Sequence, residues 1–386
     1  MRSAVRGAAP SACSSRGLTP RPMRRGRHSL LAAQTPAASQ RIDLEERMAF
    51  LRADLPHLFD NQGIDASAYD SVVDFRDPIT RYTSLQGYLF NIAFLKRVFQ
   101  PTFQLHDIRP AGDSAVISRW TMAMDFLPAR LLPTERWWAP QLIFTGTSTY
   151  HFNPRNAKID KHIDTWDSIN NQEFFSLEAF LDFLRGLTST HSVPPGLEQP
   201  EYTVLRRHAG YSVRRYRPFL AVQTALDAAA AGGSTQVDPA GPGGQAFGRL
   251  ARFIFGGNAS AQKMAMTAPV FTSSQGVMQF VIGSSAHQAL STVPAPLAGA
   301  EVEAVEEGGG CWAVRTFGGL ADTKSVQQQA QQLKKELERD GVAYQEAAGW
   351  KLARYNDPGT PGWLRRNEVM VPLVEPFELW RPGELP

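Results

Sequence analysis

The spacing of apolar residues divides the chain into two successive runs of helices and strands. Apolar residues recur at helical spacing near the start, at Leu44, Met48, Leu51, Leu55 and Leu58. A second helix is predicted over about 85–99 and a third over 176–187, where Ser176 serves as a cap. Strands are predicted between these two helices, at 116–126, 141–152 and 158–166. Helices combined with an antiparallel run of strands predict an α+β domain over residues 41–190.

The second run follows a stretch at 188–200 that contains three prolines and a glycine and predicts a linker, which we assign to 191–199. The unit at 200–386 is predicted to begin with a hairpin around His208, whose position in the turn predicts an exposed side chain. Further strands are predicted at 264–271, 277–282, 311–316, 350–355 and 368–374. With helices at about 245–255 and 326–337, we expect a distorted antiparallel barrel with two flanking helices.

Charge is concentrated in the first forty residues, which hold seven arginines and no acidic residue. With those seven removed from the 40 basic residues, 33 remain against 37 acidic ones, a net charge of −4. This balance argues against nucleic-acid binding, which needs a basic surface. An Arg-, Ser- and Ala-rich segment without acids is typical of an organellar transit peptide, so we predict that residues 1–40 are a targeting segment. The alternative is a basic tail without a targeting role.

Signatures of nucleophilic, phosphate-binding or metal chemistry are missing from the sequence, which contains no CxxC, HExxH, GxSxG or P-loop pattern. We therefore predict no metal and no catalytic residue, and no run of about 20 apolar residues predicts a membrane span. Asp77 and Asp164, with Trp166, form one candidate acid–base pair in the first domain. The alternative is that Asp77 and Pro78 make a turn and that Asp164 pairs with an arginine.

Two motifs give the first domain a resemblance to a known family. The segment 75–79 reads FRDPI, and the segment 163–169 reads IDTWDSI. Over about 45–187 the sequence resembles the plant and algal uncharacterised domain of the nuclear-transport-factor-two-like superfamily. The resemblance implies a curved sheet wrapped by helices into a cone with a pocket. That fold occurs in enzymes and in pure binding proteins, so it implies no particular activity.

The second domain resembles the SOUL heme-binding proteins over about 200–380. Four motifs occur in that family's order: YSVRRY at 211–216, a helix ending in GGN at 247–258, KMAMTAPV at 263–270, and ARYNDP at 353–358 with RNEV at 366–369. The resemblance implies reversible binding of heme or a related tetrapyrrole. The combination with a transit peptide and a cone domain resembles plastid SOUL proteins, which favours the chloroplast over the mitochondrion.

The helix at about 245–255 and the segment after it offer a surface for such a ligand. The candidate contacts are Phe247, Leu250, Phe253, Ile254, Phe255, Met264 and Met266, with Arg252 and Lys263 for the propionates and Arg249 nearby. Phe253 and Phe255 are predicted to lie off the core stripe of Leu250 and Ile254, and the two methionines to share one strand face. Alternatively, these aromatic residues are ordinary core and the basic residues are solvated.

Candidate axial ligands for heme iron are few. His208 is the first, His287 and His191 are weaker candidates, and Cys311 is expected to be a small core residue. We therefore expect a non-enzymatic plastid tetrapyrrole-binding protein that acts as a carrier, buffer or sensor. The alternative is a structural or interaction protein of plastid lipid bodies (plastoglobule or eyespot), which would use the apolar loop 126–132 with Trp137 and Trp138. The third is an enzyme that uses Asp77 or Asp164.

Overall fold

The structure is a computed structural model. It describes residues 42–126, 141–170, 172, 176–187, 196–226, 244–357, 359–381 and 383–385. The described residues all belong to one compact unit, Ser39–Pro386. Several predictions concern residues outside the described ranges: the transit peptide at 1–40, most of the loop 126–132, Trp137 and Trp138, His191 and most of the linker 191–199.

The first half, residues 42–187, is a curved six-stranded sheet with three α-helices, which we call the cone domain. Its helices are α1 (Leu44–Asp54), α2 (Leu85–Val98) and α3 (Leu177–Leu187). Its strands are β1 (Tyr69–Arg76), β2 (Arg81–Tyr82), β3 (Phe99–Pro110), β4 (Ala115–Phe126), β5 (Gln141–Phe152) and β6 (Ile159–Trp166). The strand order is β2-β1-β6-β5-β4-β3, antiparallel except for the parallel pair β1–β6. The sequence pattern predicted β4, β5 and β6 but not β1 and β3.

The helices of the cone domain begin where the sequence supplies a cap. Asp43 accepts hydrogen bonds from the amides of Glu45 and Glu46, and Ser84 accepts one from Gly87. The helices and the sheet enclose two apolar clusters. One cluster includes Met48, Val73 and Tyr150, and the other includes Trp120, Phe144, Trp166 and Ala179. Burial of apolar surface in these clusters holds the sheet against its helices.

The second half, residues 196–385, is a nine-stranded antiparallel sheet with two helices, which we call the half-barrel domain. Its strands are β7 (Tyr202–Arg207), β8 (Ser212–Tyr216), β9 (Phe219–Ala225), β10 (Val270–Ser273), β11 (Val277–Val281), β12 (Glu303–Glu307), β13 (Gly310–Phe317), β14 (Lys351–Arg354) and β15 (Asn367–Pro372). The helices are α4 (Gly244–Ile254) and α5 (Thr323–Arg339). The strand order is β12-β9-β11-β10-β14-β15-β13-β8-β7. The predicted strand over 264–271 is wrong in its first part, because residues 264–269 are irregular and β10 begins at Val270.

Contacts between strands that are distant in this order show that the sheet is strongly curled. Lys351 on β14 bonds to Glu307 on β12 at 2.9 Å, although the two strands are four positions apart. In a flat sheet four strand spacings would separate them by about 19 Å. The ammonium group of Lys351 also lies 5.3 Å from the ring centroid of Trp312 on β13. The sheet therefore curls far enough for its strands to meet across its interior.

Polar contacts join the cone domain to the half-barrel domain. Arg119 on β4, which has no exposed surface, bonds to Asp167 at 2.6 Å and to Glu384 at 3.0 Å. The hydroxyl of Thr121, on the same face of β4, donates to the carbonyl of Val204 at 2.6 Å. This face of the sheet lies opposite the one that carries Trp120, because side chains alternate along a strand. The two domains thus meet on the face of the cone sheet that the helices leave free.

A buried carboxylate, Glu368 on β15, ties together four elements of the half-barrel. Arg214 on β8 binds it through both guanidinium nitrogens at 3.0 Å, and Arg366 binds it at 2.6 Å. The hydroxyls of Tyr355 and Thr316 donate to the same carboxylate at 2.8 and 3.2 Å. Burial alone would raise the pKa of Glu368, but the charges of Arg214 and then Arg366 outweigh burial and hold that pKa far below 4.5.

Replacing Glu368 should destabilise the half-barrel and alter its acid sensitivity. We expect Glu368→Gln to lower the free energy of unfolding by about 3–5 kcal/mol, because two guanidinium groups lose their buried counter-charge. Since the folded-state pKa of Glu368 lies below its unfolded value, its stabilisation is present above pH 4.5 and is lost as the pH falls below that value. Urea unfolding of both proteins between pH 3 and pH 7 measures both effects.

The matched control is Glu201→Gln, because Glu201 forms an exposed ion pair with Arg217. It should change the free energy of unfolding by about 1 kcal/mol or less. An acid-induced loss of stability in Glu368→Gln as steep as that of the unchanged protein would contradict this account of the cluster.

Candidate ligand-binding groove

Helix α4 presents one apolar stripe to the half-barrel. Leu250, Phe253 and Ile254 are buried, and they pack against residues of β9 and β11 that include Val222 and Phe280. Phe253 follows Leu250 by three positions, so helical geometry places the two side chains on the same face. The prediction that Phe253 lies off the core stripe is therefore wrong, and Phe253 belongs to the core with Leu250.

Two aromatic residues of the same region face solvent instead. Phe247 is 40% exposed and Phe255 is 58% exposed. The Phe247 ring meets the ring of Phe280 edge to face, with centroids 5.1 Å apart. Phe247 therefore extends the apolar surface of β11 outward along α4. The prediction that Phe255 lies off the core stripe is confirmed.

The GGN motif at 256–258 ends α4 and turns the chain back along it. The amide of Gly257 donates to the carbonyl of Arg252 at 2.8 Å, and Gly256 adopts a φ of +102°, which favours glycine. The side chain of Asn258 then donates to the carbonyls of Phe253 and Gln262 at 3.0 and 2.7 Å. These bonds fix the turn, so that the following residues run beside the end of the helix.

The returning segment forms one wall of a shallow groove. The amide of Met264 donates to the carbonyl of Ile254 at 2.9 Å, which holds the segment at the helix end. The groove is lined by Ile254, Ala265, Met266, Thr267, Pro269, Val270, Phe280 and Val281. It holds about 240 Å³ of space that is open to solvent. Met266 is 40% exposed, whereas Met264 is partly buried and packs against the core, so the two methionines do not share one strand face.

The residues that form the floor of the groove were not predicted from the sequence. Val270 and Phe280 were predicted to be strand residues, but they were not assigned to the ligand site. β10 and β11 pair so that Val270 lies opposite Phe280. Pairing partners share a face of the sheet, so this register brings both side chains to the same place. The apolar pattern does not show which strands pair. Only the pairing of β10 with β11 could have assigned these two residues to the groove.

Two cations lie at the helix end beside the groove. Arg252 and Lys263 are both exposed, and their side-chain stems flank the turn at Gly256 and Gly257. Arg249 is different, because its guanidinium already contacts Thr224 at 3.0 Å and the carbonyl of Ala225 at 2.7 Å. The structure therefore leaves Arg252 and Lys263 facing solvent near the groove and engages Arg249 elsewhere.

His208 does not reach the groove. It lies in the turn between β7 and β8, at the other end of the strand order from β9 and β11, and it is only 8% exposed. Its ring stacks on Tyr211 with centroids 4.3 Å apart, and its Nδ1 lies 3.1 Å from a carboxylate oxygen of Asp340. Burial lowers the pKa of His208 to about 4, with the charge of Arg381 acting in the same direction. The predicted exposure of His208 is wrong.

The weaker axial candidates are also engaged. Nδ1 of the buried His287 donates to the carbonyl of Thr292 at 2.8 Å, since a carbonyl can only accept. Cys311 is buried in the core behind α5, as expected, and burial raises the pKa of its thiol to about 11. A thiol with that pKa stays protonated at neutral pH and is a poor ligand for iron.

The two carboxylates of the cone domain have separate environments. The amides of Ile79 and Thr80 donate to Asp77 at 2.7 and 2.5 Å, and the hydroxyl of Thr80 donates at 2.6 Å. Burial raises the pKa of Asp77 to about 6 despite the opposing hydrogen bonds from Thr80. Asp77 therefore forms the expected turn. Asp164 contacts Ser148 and His162 rather than an arginine, so that part of the alternative is wrong.

Among the described residues, no group of three or more His, Cys, Asp or Glu side chains is placed to hold a metal ion. No helix in the described ranges is long and apolar enough to cross a membrane.

Two family models match the chain. The model of the SOUL heme-binding protein matches residues 197–372, and the model of an uncharacterised conserved protein, DUF2358, matches residues 45–162. The first match contains α4, the GGN turn and every residue that lines the groove. The second covers most of the cone domain. A search of curated proteins found no match.

The solved structures to which the chain is similar align with about a third of its length. A LEH-like epoxide hydrolase of M. tuberculosis is 16% identical, with coverage of 37% of this chain and 92% of that one and a TM-score of 0.27. An NTF2-like protein of unknown function from Exiguobacterium sp. 255-15 is 13% identical, with coverage of 33% and 98% and a TM-score of 0.24. These identities and TM-scores support no inference about activity.

Replacing each of the two phenylalanines at the end of α4 with alanine should show which one is a core residue and which one is a surface residue. We expect Phe253→Ala to lower the free energy of unfolding by about 3–5 kcal/mol, because it leaves a cavity in the core. Phe255→Ala should change it by about 0.5 kcal/mol or less, since the side chain is exposed. Urea unfolding measures both values, and similar losses in the two variants would contradict the burial described here.

Proposed function

Because residues 197–372 of this chain are a SOUL domain, we propose that the protein binds heme or a related tetrapyrrole reversibly in the groove between α4 and residues 264–269. The observation that carries the proposal is a continuous apolar surface that ends at two cations. Phe247, Ile254, Met266 and Phe280 form that surface, and Arg252 and Lys263 lie at the helix end. A porphyrin needs this combination, since its ring is apolar and its propionates are anionic.

The size of the groove indicates how the ligand would lie. Pockets that enclose drug-sized ligands usually hold about 300–1,000 Å³, whereas the space enclosed by this groove has room for about one water molecule. A porphyrin would therefore cover the groove and the exposed rings of Phe247 and Phe255 rather than enter a closed cavity. One face of the ligand would then remain accessible to solvent or to a second protein.

Such contact supports reversible binding. Covering about 300 Å² of apolar porphyrin surface contributes about 7.5 kcal/mol, and association costs about 4 kcal/mol or more. Face contact alone therefore gives an affinity weaker than micromolar, which corresponds to about −8 kcal/mol. None of the described residues that line the groove is a histidine or cysteine, whereas Met266 brings a thioether sulfur. Modest affinity suits a carrier or buffer, which must release its ligand.

The proposal also includes the location of the protein in the cell. The acid-free, arginine-rich composition of residues 1–40 supports import into an organelle, and we propose the chloroplast. The role of the protein would then be non-enzymatic handling of tetrapyrrole within the plastid.

A second candidate function is contact with a plastid lipid body, such as a plastoglobule or the eyespot. The observation that favours it is an apolar stripe on the outer face of α3, where Leu177, Phe180, Leu181 and Leu184 are exposed. Their spacing is that of one helix face, which in most surface helices points inward. Exposed apolar patches of this kind often mark interaction surfaces.

Charged residues on the apolar surface should weaken hemin binding without unfolding the domain. We expect Phe247→Asp with Phe255→Asp to raise the hemin Kd at least about tenfold, because a carboxylate under the porphyrin loses its hydration. A hemin titration by difference absorbance on the full chain measures the Kd. The matched control is Leu320→Asp, which replaces another exposed apolar residue of the half-barrel domain. Unsaturable binding, or equal Kd values for all three proteins, would contradict the proposal.

Arg252 and Lys263 should contribute to hemin binding only through its propionate groups. We expect Arg252→Glu with Lys263→Glu to raise the Kd for hemin severalfold and to leave the Kd for hemin dimethyl ester nearly unchanged, since the ester carries no propionate charge. The same titration with both ligands provides the comparison. An equal change for hemin and for its ester would show that the two residues do not pair with propionates.

A further inference from the structure

A row of polar side chains crosses the interior of the cone domain between its two apolar clusters. Trp120 on β4, Ser148 on β5, and His162 and Asp164 on β6 make up this row, which we call the cone site. Tyr88 of α2 meets the ring of His162 edge to face at 5.4 Å, so this is the helix-covered face of the sheet. His162 and Asp164 are two residues apart on one strand and share that face. All four side chains of the site belong to the cone domain.

The cone site holds the carboxylate of Asp164 in one orientation. The indole nitrogen of Trp120 donates to the hydroxyl oxygen of Ser148 at 2.7 Å. The hydroxyl of Ser148 in turn donates to Oδ1 of Asp164 at 2.5 Å. Nε2 of His162 lies 2.9 Å from the same Oδ1. Oδ1 is thus engaged, while no described residue forms a hydrogen bond with the other oxygen, Oδ2.

Two observations indicate that this arrangement is incomplete without a ligand. The side chain of Asp164 retains 17% exposure although it lies on the covered face of the sheet. His162 is 97% buried, its Nδ1 has no hydrogen-bond partner, and its Nε2 lies near only Oδ1 of Asp164, without hydrogen-bond geometry. Buried polar groups are nearly always hydrogen-bonded, so unpartnered ones mark a place where another molecule binds.

The surroundings of the carboxylate indicate the chemistry of that molecule. The rings of Phe75, Tyr88 and Tyr150 surround His162 with centroids 4.3 to 5.4 Å away, so the walls are aromatic. No arginine or lysine of the described residues contacts Asp164. Asp77 is close enough that the charge of Asp164, in addition to burial, raises the pKa of Asp77. A carboxylate in an aromatic site without an arginine or lysine partner is complemented by a cationic ligand.

We propose that the cone site is a second ligand-binding site, in which Oδ2 of Asp164 accepts a hydrogen bond from the ammonium group of a small, otherwise apolar molecule. The bonds from Trp120 and Ser148 position the carboxylate, and the aromatic walls contact the apolar body. The bond from Ser148 does not require a charge at position 164, because the side-chain oxygen of an asparagine can also accept a hydrogen bond.

The test compares three probes that share a cyclohexane ring and differ in head group: cyclohexylamine, cyclohexanol and cyclohexanecarboxylate. The full chain is labelled with 15N-tryptophan, and the indole signal of Trp120 is assigned from Trp120→Phe. We expect cyclohexylamine, an ammonium ion at neutral pH, to shift this signal saturably. Cyclohexanol should bind at least about tenfold more weakly, because a bond to a charged donor is stronger. Cyclohexanecarboxylate should not shift the signal.

Asp164→Asn then tests the residue, with Asp113→Asn as the control because Asp113 is exposed on a loop. Asp164→Asn should weaken cyclohexylamine binding at least about tenfold, and Asp113→Asn should leave it unchanged. Equal binding of the three probes by the unchanged protein would indicate a plain apolar cavity and overturn the proposal. A Trp120 signal that no probe shifts, or cyclohexylamine binding that survives in Asp164→Asn, would overturn it as well.

Discussion

The half-barrel depends on one buried carboxylate, that of Glu368, which binds Arg214 and Arg366 with no exposed surface of its own. An unpaired charge at this depth would be prohibitively costly, so β8, β13 and the residues beside β14 and β15 must converge on it. Neighbouring residues of β15 point the other way, and Val369 and Val371 pack against α5. The cluster therefore fixes the curl of the sheet, and the curled sheet supports α4 at its other end.

This arrangement separates some of the residues that carry the family resemblance from those that line the groove. Arg214, Tyr355, Arg366 and Glu368 come from two of the four motifs, and all belong to the buried cluster. They maintain the fold and do not line the groove. The motifs at 247–258 and 263–270 differ from these, since they provide Ile254 and one wall of the groove. Two of the four motifs thus maintain the fold, and the other two contribute to the groove that we propose as the ligand site.

The apolar pattern predicted the helices and most of the longer strands, because period alone specifies which face of an element is buried. The pattern gave wrong predictions where the exposure or path of a residue depends on contacts with other parts of the chain. His208 was expected to be exposed in its turn, but Tyr211 and Asp340 bury it. Residues 264–269 alternate like a strand, yet they follow the end of α4 because Asn258 and the amide of Met264 bond there. Of the cone site only Asp164 was predicted, as a partner of Asp77, since Ser148, His162 and Trp120 join Asp164 through strand pairing.

The most direct test of the central claim is to locate ferric hemin relative to the methionine methyl groups. In the full chain labelled with 13C at the methionine methyls, paramagnetic iron broadens signals of nearby groups, and diamagnetic gallium protoporphyrin serves as the control. We predict that hemin broadens Met266 most, then Met264, and leaves Met48 and Met124 in the cone domain sharp. Strongest broadening in the cone domain, or equal broadening throughout, would contradict the assignment of the groove as the tetrapyrrole site.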